Sequence, residues 1–114
     1  MSELRKQLPV KRRFRRRTVR VLVDYQVGGE VHCEYATTLG AGGMFIETEA
    51  VLAAGTLLKV RFRLEDDGSV HEIEARVAWS QRHDEGTFAR APGMGIEFTD
   101  AVATSILARA LERG

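Results

Sequence analysis

Leu58-Lys59-Val60-Arg61-Phe62-Arg63-Leu64 decides the fold class of this chain. Leu58, Val60, Phe62 and Leu64 fall on one side of an extended chain, and Lys59, Arg61 and Arg63 fall on the other. That two-residue period is the signature of a strand with one buried and one wet face. Asp66-Asp67-Gly68-Ser69 follows and reads as a tight turn. Beyond it Ile73, Ala75, Val77 and Trp79 alternate with Glu72, Glu74, Arg76 and Ala78, which predicts a second strand folding back on the first.

The same period recurs on both sides of this hairpin. Upstream, Val19, Val21, Val23 and Tyr25 alternate with Arg20, Leu22, Asp24 and Gln26, with Leu22 blurring the polar face. Gly28-Gly29 marks a hairpin turn, and Val31, Cys33 and Tyr35 continue as a strand. Leu39-Gly40-Ala41-Gly42-Gly43 interrupts the pattern, and Met44-Phe45-Ile46 is a short strand after it. Residues 47–55 read as a connecting loop and residues 81–92, with Gly86 and Pro92, as a longer one. Met94, Ile96 and Phe98 predict a sixth strand. Asp100 is placed to cap a helix, whose apolar stripe is Val102, Ala103, Ile106, Leu107, Ala110 and Leu111. Arg109 and Arg113 fall near its C-terminal end, where the helix dipole favours cations. Six short strands joined by turn signals, then a helix, imply an all-β antiparallel barrel or sandwich rather than a parallel sheet.

With 114 residues, 44% hydrophobic and 29% charged, the chain fits one globular domain with one core. No apolar run approaches the roughly 20 residues that span a bilayer. The charged N-terminus has no apolar stretch behind it, so no secretory signal is expected. A lone Cys33 forms no internal disulfide, which accords with a reducing cytoplasm.

The charge is unevenly placed. Residues 1–20 carry nine Lys/Arg and one Asp/Glu, a net +8, and residues 21–114 carry eight and fifteen, a net −7. Most of the positive charge lies in Lys11-Arg12-Arg13-Phe14-Arg15-Arg16-Arg17. Residues 1–17 show no apolar period and are expected to be a flexible basic arm on a body spanning residues 18–114. Guanidinium forks match phosphate oxygens and stack on flat rings. A cationic arm of this kind either captures a phosphate-bearing anion or folds onto its own acidic body. Phe14 has two roles open to it, stacking on a base or anchoring the arm.

No catalytic constellation emerges. His32, His71 and His83 lack ligand spacing with one another and with Cys33, so no metal site is expected. Cys33 lies in a strand pattern without a base beside it and reads as packed. Asp24, Asp66 and Asp67 read as solvated charge and turn chemistry rather than an acid/base pair. Trp79 continues the inward alternation and reads as a core or barrel-end residue. Neither a nucleophile elbow nor a phosphate-binding loop with its lysine is present, and a non-enzymatic role follows.

Several of these segments resemble the PilZ domains of bacteria, small antiparallel barrels that bind the second messenger cyclic di-GMP. The family motif R-x-x-x-R, just before the first strand, is matched by Arg12-Arg13-Phe14-Arg15-Arg16, with Arg12 and Arg16 at the motif positions. The second motif, [D/N]-x-S-x-x-G after the second strand, aligns with Thr38-Leu39-Gly40-Ala41-Gly42-Gly43. Only Gly43 matches it. Gly43-Met44-Phe45-Ile46 and Pro92-Gly93-Met94-Gly95-Ile96-Glu97-Phe98 look very like the family, and the resemblance covers roughly residues 10–112.

The resemblance implies a six-stranded barrel with a C-terminal helix. It implies a nucleotide held by Arg12 and Arg16, with Arg13, Arg15, Arg17 and Arg20 as auxiliaries, against Thr38, Gly40, Gly42 and Gly43. In the family the paired arginines hold the phosphates and lie against the guanines, while the Asp/Asn and Ser read the base and fix the loop. Threonine at 38 offers no carboxylate, and glycine at 40 offers no side chain. Two readings of the Gly40–Gly43 loop stay open, close approach of a ligand and a tight corner between strands. Two functions likewise stay open: a cyclic di-GMP module signalling to a protein partner, and a divergent scaffold acting by protein contacts in motility or surface-structure regulation. The acidic body points away from nucleic acid as the arm's target, since it repels a duplex.

Overall fold

The computed structural model describes residues 17–82 and 91–113. Arg12, Arg13, Phe14, Arg15 and Arg16, and with them the expected flexible arm, lie outside the described residues, as do His83 and Gly86.

Six strands form: β1 (Arg17–Val27), β2 (Glu30–Gly40), β3 (Gly43–Glu47), β4 (Leu57–Arg63), β5 (Val70–Gln81) and β6 (Gly93–Phe98), followed by helix α1 (Ala101–Arg113). They close into a barrel in the order β1-β2-β3-β6-β5-β4, each neighbour antiparallel. The closing pair is β1 with β4, Val23 opposite Phe62 and Tyr25 opposite Val60. Closure settles the choice between barrel and sandwich. Among the described strands it also leaves no open sheet edge to template aggregation.

The alternation read in the sequence is the alternation of burial. β4 reads exposed-buried throughout, with Leu58, Val60 and Phe62 inside and Lys59, Arg61 and Arg63 outside. Val23, Val60, Ile73, Ile46 and Met94 are fully buried. Burying an aliphatic side chain of this size contributes about 1.5–3 kcal/mol. Gly28, Gly55 and Gly68 take positive φ (60°, 93° and 72°), where a Cβ would be strained. Gly68 closes the β4–β5 turn together with Asp67, whose Oδ1 accepts from the Ser69 amide at 2.9 Å.

Asp100 caps α1 as expected: the Ala103 amide donates to its Oδ1 at 3.1 Å. The helix stripe is only half covered, however. Leu107 and Ala110 are buried against the barrel, whereas Val102 and Ile106 are 71% and 56% exposed. The helix packs along β5, so its contact is narrower than its apolar stripe.

A second expectation is corrected at Trp79. It does not face the core but is 46% exposed on the barrel's outer surface. The β5–β6 register slips between Val77, opposite Ile96, and Trp79, opposite Gly95. One bulged residue reverses the facing of all that follow. Similar slips occur between Thr18 and Val21 on β1 and between Ala36 and Thr38 on β2. Among the described residues no helix is long and apolar enough to cross a membrane, and no group of three or more His, Cys, Asp or Glu side chains is placed to hold a metal ion.

Candidate functional site

The barrel brings the root of the arm to the second motif. Arg17, the first residue of β1, pairs with Leu39, and Thr18 pairs with Thr38. Arg16 is one peptide bond from Arg17, and Cα atoms across a trans peptide are about 3.8 Å apart. The arm therefore joins the barrel beside the Thr38–Gly43 corner.

β2 and β3 meet at that corner through a two-residue turn, Ala41-Gly42, with Gly40 opposite Gly43. None of its glycines is among the positive-φ glycines. Packing accounts for Gly43: a Cβ there would collide with the Ile96 carbonyl oxygen on β6. Gly42 is tied to the same strand, its carbonyl accepting from the Phe98 amide at 3.0 Å. For Gly43 the tight corner is thus sufficient reason for the residue type. Gly40 is buried and closes the hairpin.

Thr38 occupies the motif position that would carry Asp or Asn. Its Oγ1 is enclosed and has no hydrogen-bond partner. A buried hydroxyl left unpaired costs about 1–3 kcal/mol, and such an atom invites an explanation.

The outer face next to Thr38 is aromatic. Phe45 lies opposite Thr38 on β3 and opposite Gly95 on β6. Trp79 lies opposite Gly95 from the other side. The Phe45 and Trp79 rings stack across that bare glycine, with centroids 5.4 Å apart and planes 26° from parallel. A side chain at Gly95 would strike the Trp79 indole, and one at Gly93 would strike the Phe45 ring. Further along, the Arg20 guanidinium sits 4.1 Å from the Tyr35 ring centroid. The face thus offers flat apolar surface, with a guanidinium over one of its rings.

Two of the expected auxiliaries already have protein partners. Arg20 lies over Tyr35. Arg17 Nη2 donates to the Leu111 carbonyl at 2.7 Å, and its Nη1 is 3.6 Å from Asp66 Oδ2. Neither points to a free phosphate ligand. The sequence reading missed the Phe45–Trp79 pair. Its signal was Gly95 between two apolar strand residues, but the bulge that turns Trp79 outward has no sequence mark.

Elsewhere, burial and hydrogen bonding shift a few titratable groups. Burial pushes the His71 pKa below its ordinary 6.5, partly opposed by Asp67. The Cys33 thiol is exposed rather than packed, and its pKa is raised chiefly by a hydrogen bond with Asp24. A raised thiol is less reactive, not more.

A closed six-stranded antiparallel barrel followed by a C-terminal helix defines a small domain of the β class. The chain belongs to the PilZ domain family: the family model matches residues 10–113, the Arg12–Arg16 segment included. Among solved structures it is similar to the Bacillus subtilis inhibitor of motility MotI/DgrA, at 21% identity and TM-score 0.68 over 88% of this chain. This chain spans about half of that one, 48%. It is also similar to the PilZ domain of CeSA from a cellulose-synthesizing bacterium, at 20% identity and TM-score 0.59, covering 85% of this chain and 97% of that one. At these identities the likeness speaks for the fold. A sequence search of curated proteins returned no match.

Proposed function

We propose that this chain is a non-enzymatic regulatory module that binds cyclic di-GMP and signals to a protein partner. The observation that carries the reading is the β1–β2 register, which sets Arg17 beside Leu39 and Thr18 beside Thr38. In this reading Arg12 and Arg16, with Arg13 as an auxiliary, reach the Thr38–Gly43 corner from a short tether. The arginines would take the phosphates. Backbone groups at Gly40, Gly42 and Gly43 and the Thr38 hydroxyl would line the base side, with the Phe45–Trp79 surface nearby. Ordering of the arm would then change the face shown to a partner.

Calorimetry of the full chain with cyclic di-GMP tests this. Heat of binding, abolished in an Arg12→Ala/Arg16→Ala variant, is expected. No heat at millimolar nucleotide would overturn it. Trp79 is the chain's only tryptophan, so its fluorescence is a second readout.

A second reading is favoured by Thr38 and Gly40 themselves. Missing base contacts amount to about 1–4 kcal/mol, which weakens binding about tenfold to a thousandfold. In this reading the barrel is a scaffold acting by protein contacts, and MotI/DgrA, an inhibitor of motility, indicates one kind of process it would serve. The Thr38→Asp/Gly40→Ser variant separates the two. A large gain from measurable binding supports a weakened receptor, and binding that appears only in the variant supports the scaffold.

A further inference from the structure

Leu22 breaks the polar side of β1, and the fold gives that break a setting. On the outer side of the β1–β2 hairpin Leu22 lies opposite Tyr35, Asp24 opposite Cys33 and Gln26 opposite Val31. Leu22, Tyr35 and Val31 are 52%, 40% and 66% exposed, and Cys33 is exposed as well. Single exposed apolar side chains are ordinary on any surface. Here β2 presents Val31, Cys33 and Tyr35 in an uncharged row, widened at one end by Leu22, and a contiguous row of this kind marks a contact surface. Asp24, midway along this ridge, is hydrogen-bonded with the Cys33 thiol, so it has a partner before any second molecule arrives.

The two flanks of the ridge carry opposite charge. On the β1 side stand Lys59 and Arg61 of β4, opposite Gln26 and Asp24 and both exposed. Glu72 and Glu74 of β5 lie one strand further from the crest. On the β2 side stands Glu47 of β3, opposite Tyr35, with Glu49 exposed just beyond it. Glu34, Glu47, Thr48 and Glu49 border an open groove of about 430 Å3 on that flank, room for a long basic side chain. A surface that is basic on one edge, apolar along its crest and acidic on the other edge is complementary to itself. A two-fold axis running along the hairpin between β1 and β2 exchanges the strands. Leu22 of each copy then meets Tyr35 of the other, and each β4 flank meets the β3 flank of its mate.

We propose that the β1–β2 ridge is a self-association surface whose occupant is a second copy of this chain. It sets an apolar centre within a charged rim, the usual anatomy of a protein contact. The crest is two strands wide, small against the roughly 800 Å2 per partner of a standard interface, so the dimer is weak and reversible. The proposal is independent of the nucleotide reading, since it uses neither Arg12 to Arg16 nor the Thr38–Gly43 corner.

Sedimentation velocity of the full chain from about 5 to about 500 µM is the test. The native chain is expected to pass from monomer to dimer across that range, and Leu22→Glu to stay monomeric throughout. Val31→Glu, at a still more exposed position, repeats the test without touching the core. Arg61→Glu and Glu49→Lys should each weaken association at least about tenfold by setting like charges across the rim, and the double variant, with the native net charge, should recover it. Cys33 gives an independent readout. Strands about 4.8 Å apart in sheets about 10 Å apart put the Cys33 Cα atoms of the two copies about 11 Å from each other, within the span of a short bis-maleimide. Cross-linked dimer should form in the native chain and be lost in Leu22→Glu. A native chain that stays monomeric at about 500 µM and gives no cross-link overturns the proposal and assigns the ridge to a different protein. A dimer that survives both Leu22→Glu and Val31→Glu also overturns it, because association then lies on another face.

Discussion

At single residues, the chemistry of this barrel is set by which polar groups have partners. Thr38 Oγ1 has none, and His71 has one that fixes its state. His71 is buried against the Phe62 ring, with centroids 5.7 Å apart, and its Nε2 lies 2.8 Å from Ser69 Oγ. Ser69 Oγ donates its one proton to Asp67 Oδ1 at 2.7 Å, so Nε2–H of a neutral His71 donates to Ser69. Because burial lowers the folded pKa below 6.5, the unfolded chain takes up the proton first as pH falls. The contribution of neutral His71 is therefore complete above 6.5, declines as pH drops through that value toward the lowered folded pKa, and levels off below it. Urea unfolding between pH 8 and 5 should show that decline, and His71→Leu should flatten it. An unchanged slope in the variant would assign the pH dependence to other groups.

Elements depend on where backbones approach each other, and two glycines make opposite predictions. A methyl at Gly43 meets the β6 backbone, which cannot move aside, so Gly43→Ala should destabilise by about 1–3 kcal/mol in denaturant melts. A methyl at Gly95 meets the Trp79 indole, a side chain half in solvent, so Gly95→Ala should cost less and instead shift the Trp79 emission. At α1, Asp100→Ala removes the cap and should cost about 1 kcal/mol. The strands were legible because Leu58 to Leu64 and their counterparts alternate without interruption. Trp79 was not, because counting by twos assumes an unbroken register and the slip after Val77 breaks it. The α1 stripe showed which side is apolar but not how much of it the barrel covers. At the site, Arg12, Arg16, Thr38 and Gly40 were legible only through the family resemblance. Arg17 was hidden in a run of like residues whose individual partners no pattern distinguishes.

Over the whole molecule, charge separates function from stability. A chain beginning at Arg17 keeps ten Lys/Arg against fifteen Asp/Glu, a net −5, while residues 1–16 alone carry +6. Among the described residues the buried core runs from Val23 to Ala110. Removing residues 1–16, which deletes none of these core side chains, should leave the cooperative unfolding transition within about 2 °C. It should also turn a ligand-attracting molecule into one that repels a cyclic dianion. Cyclic di-GMP affinity is expected to fall at least about a hundredfold, the loss of two charge-assisted arginine contacts. Affinity of the full chain should in turn weaken as salt rises from about 50 to 500 mM, because screening shortens the reach of the arm's charges to a few ångströms. Thermal melts and titrations on the two chains at two salt concentrations check both halves. An arm-deleted chain that binds as well as the full one would move the site off the Arg12–Arg16 segment. One that no longer melts cooperatively would show that the arm is part of the fold.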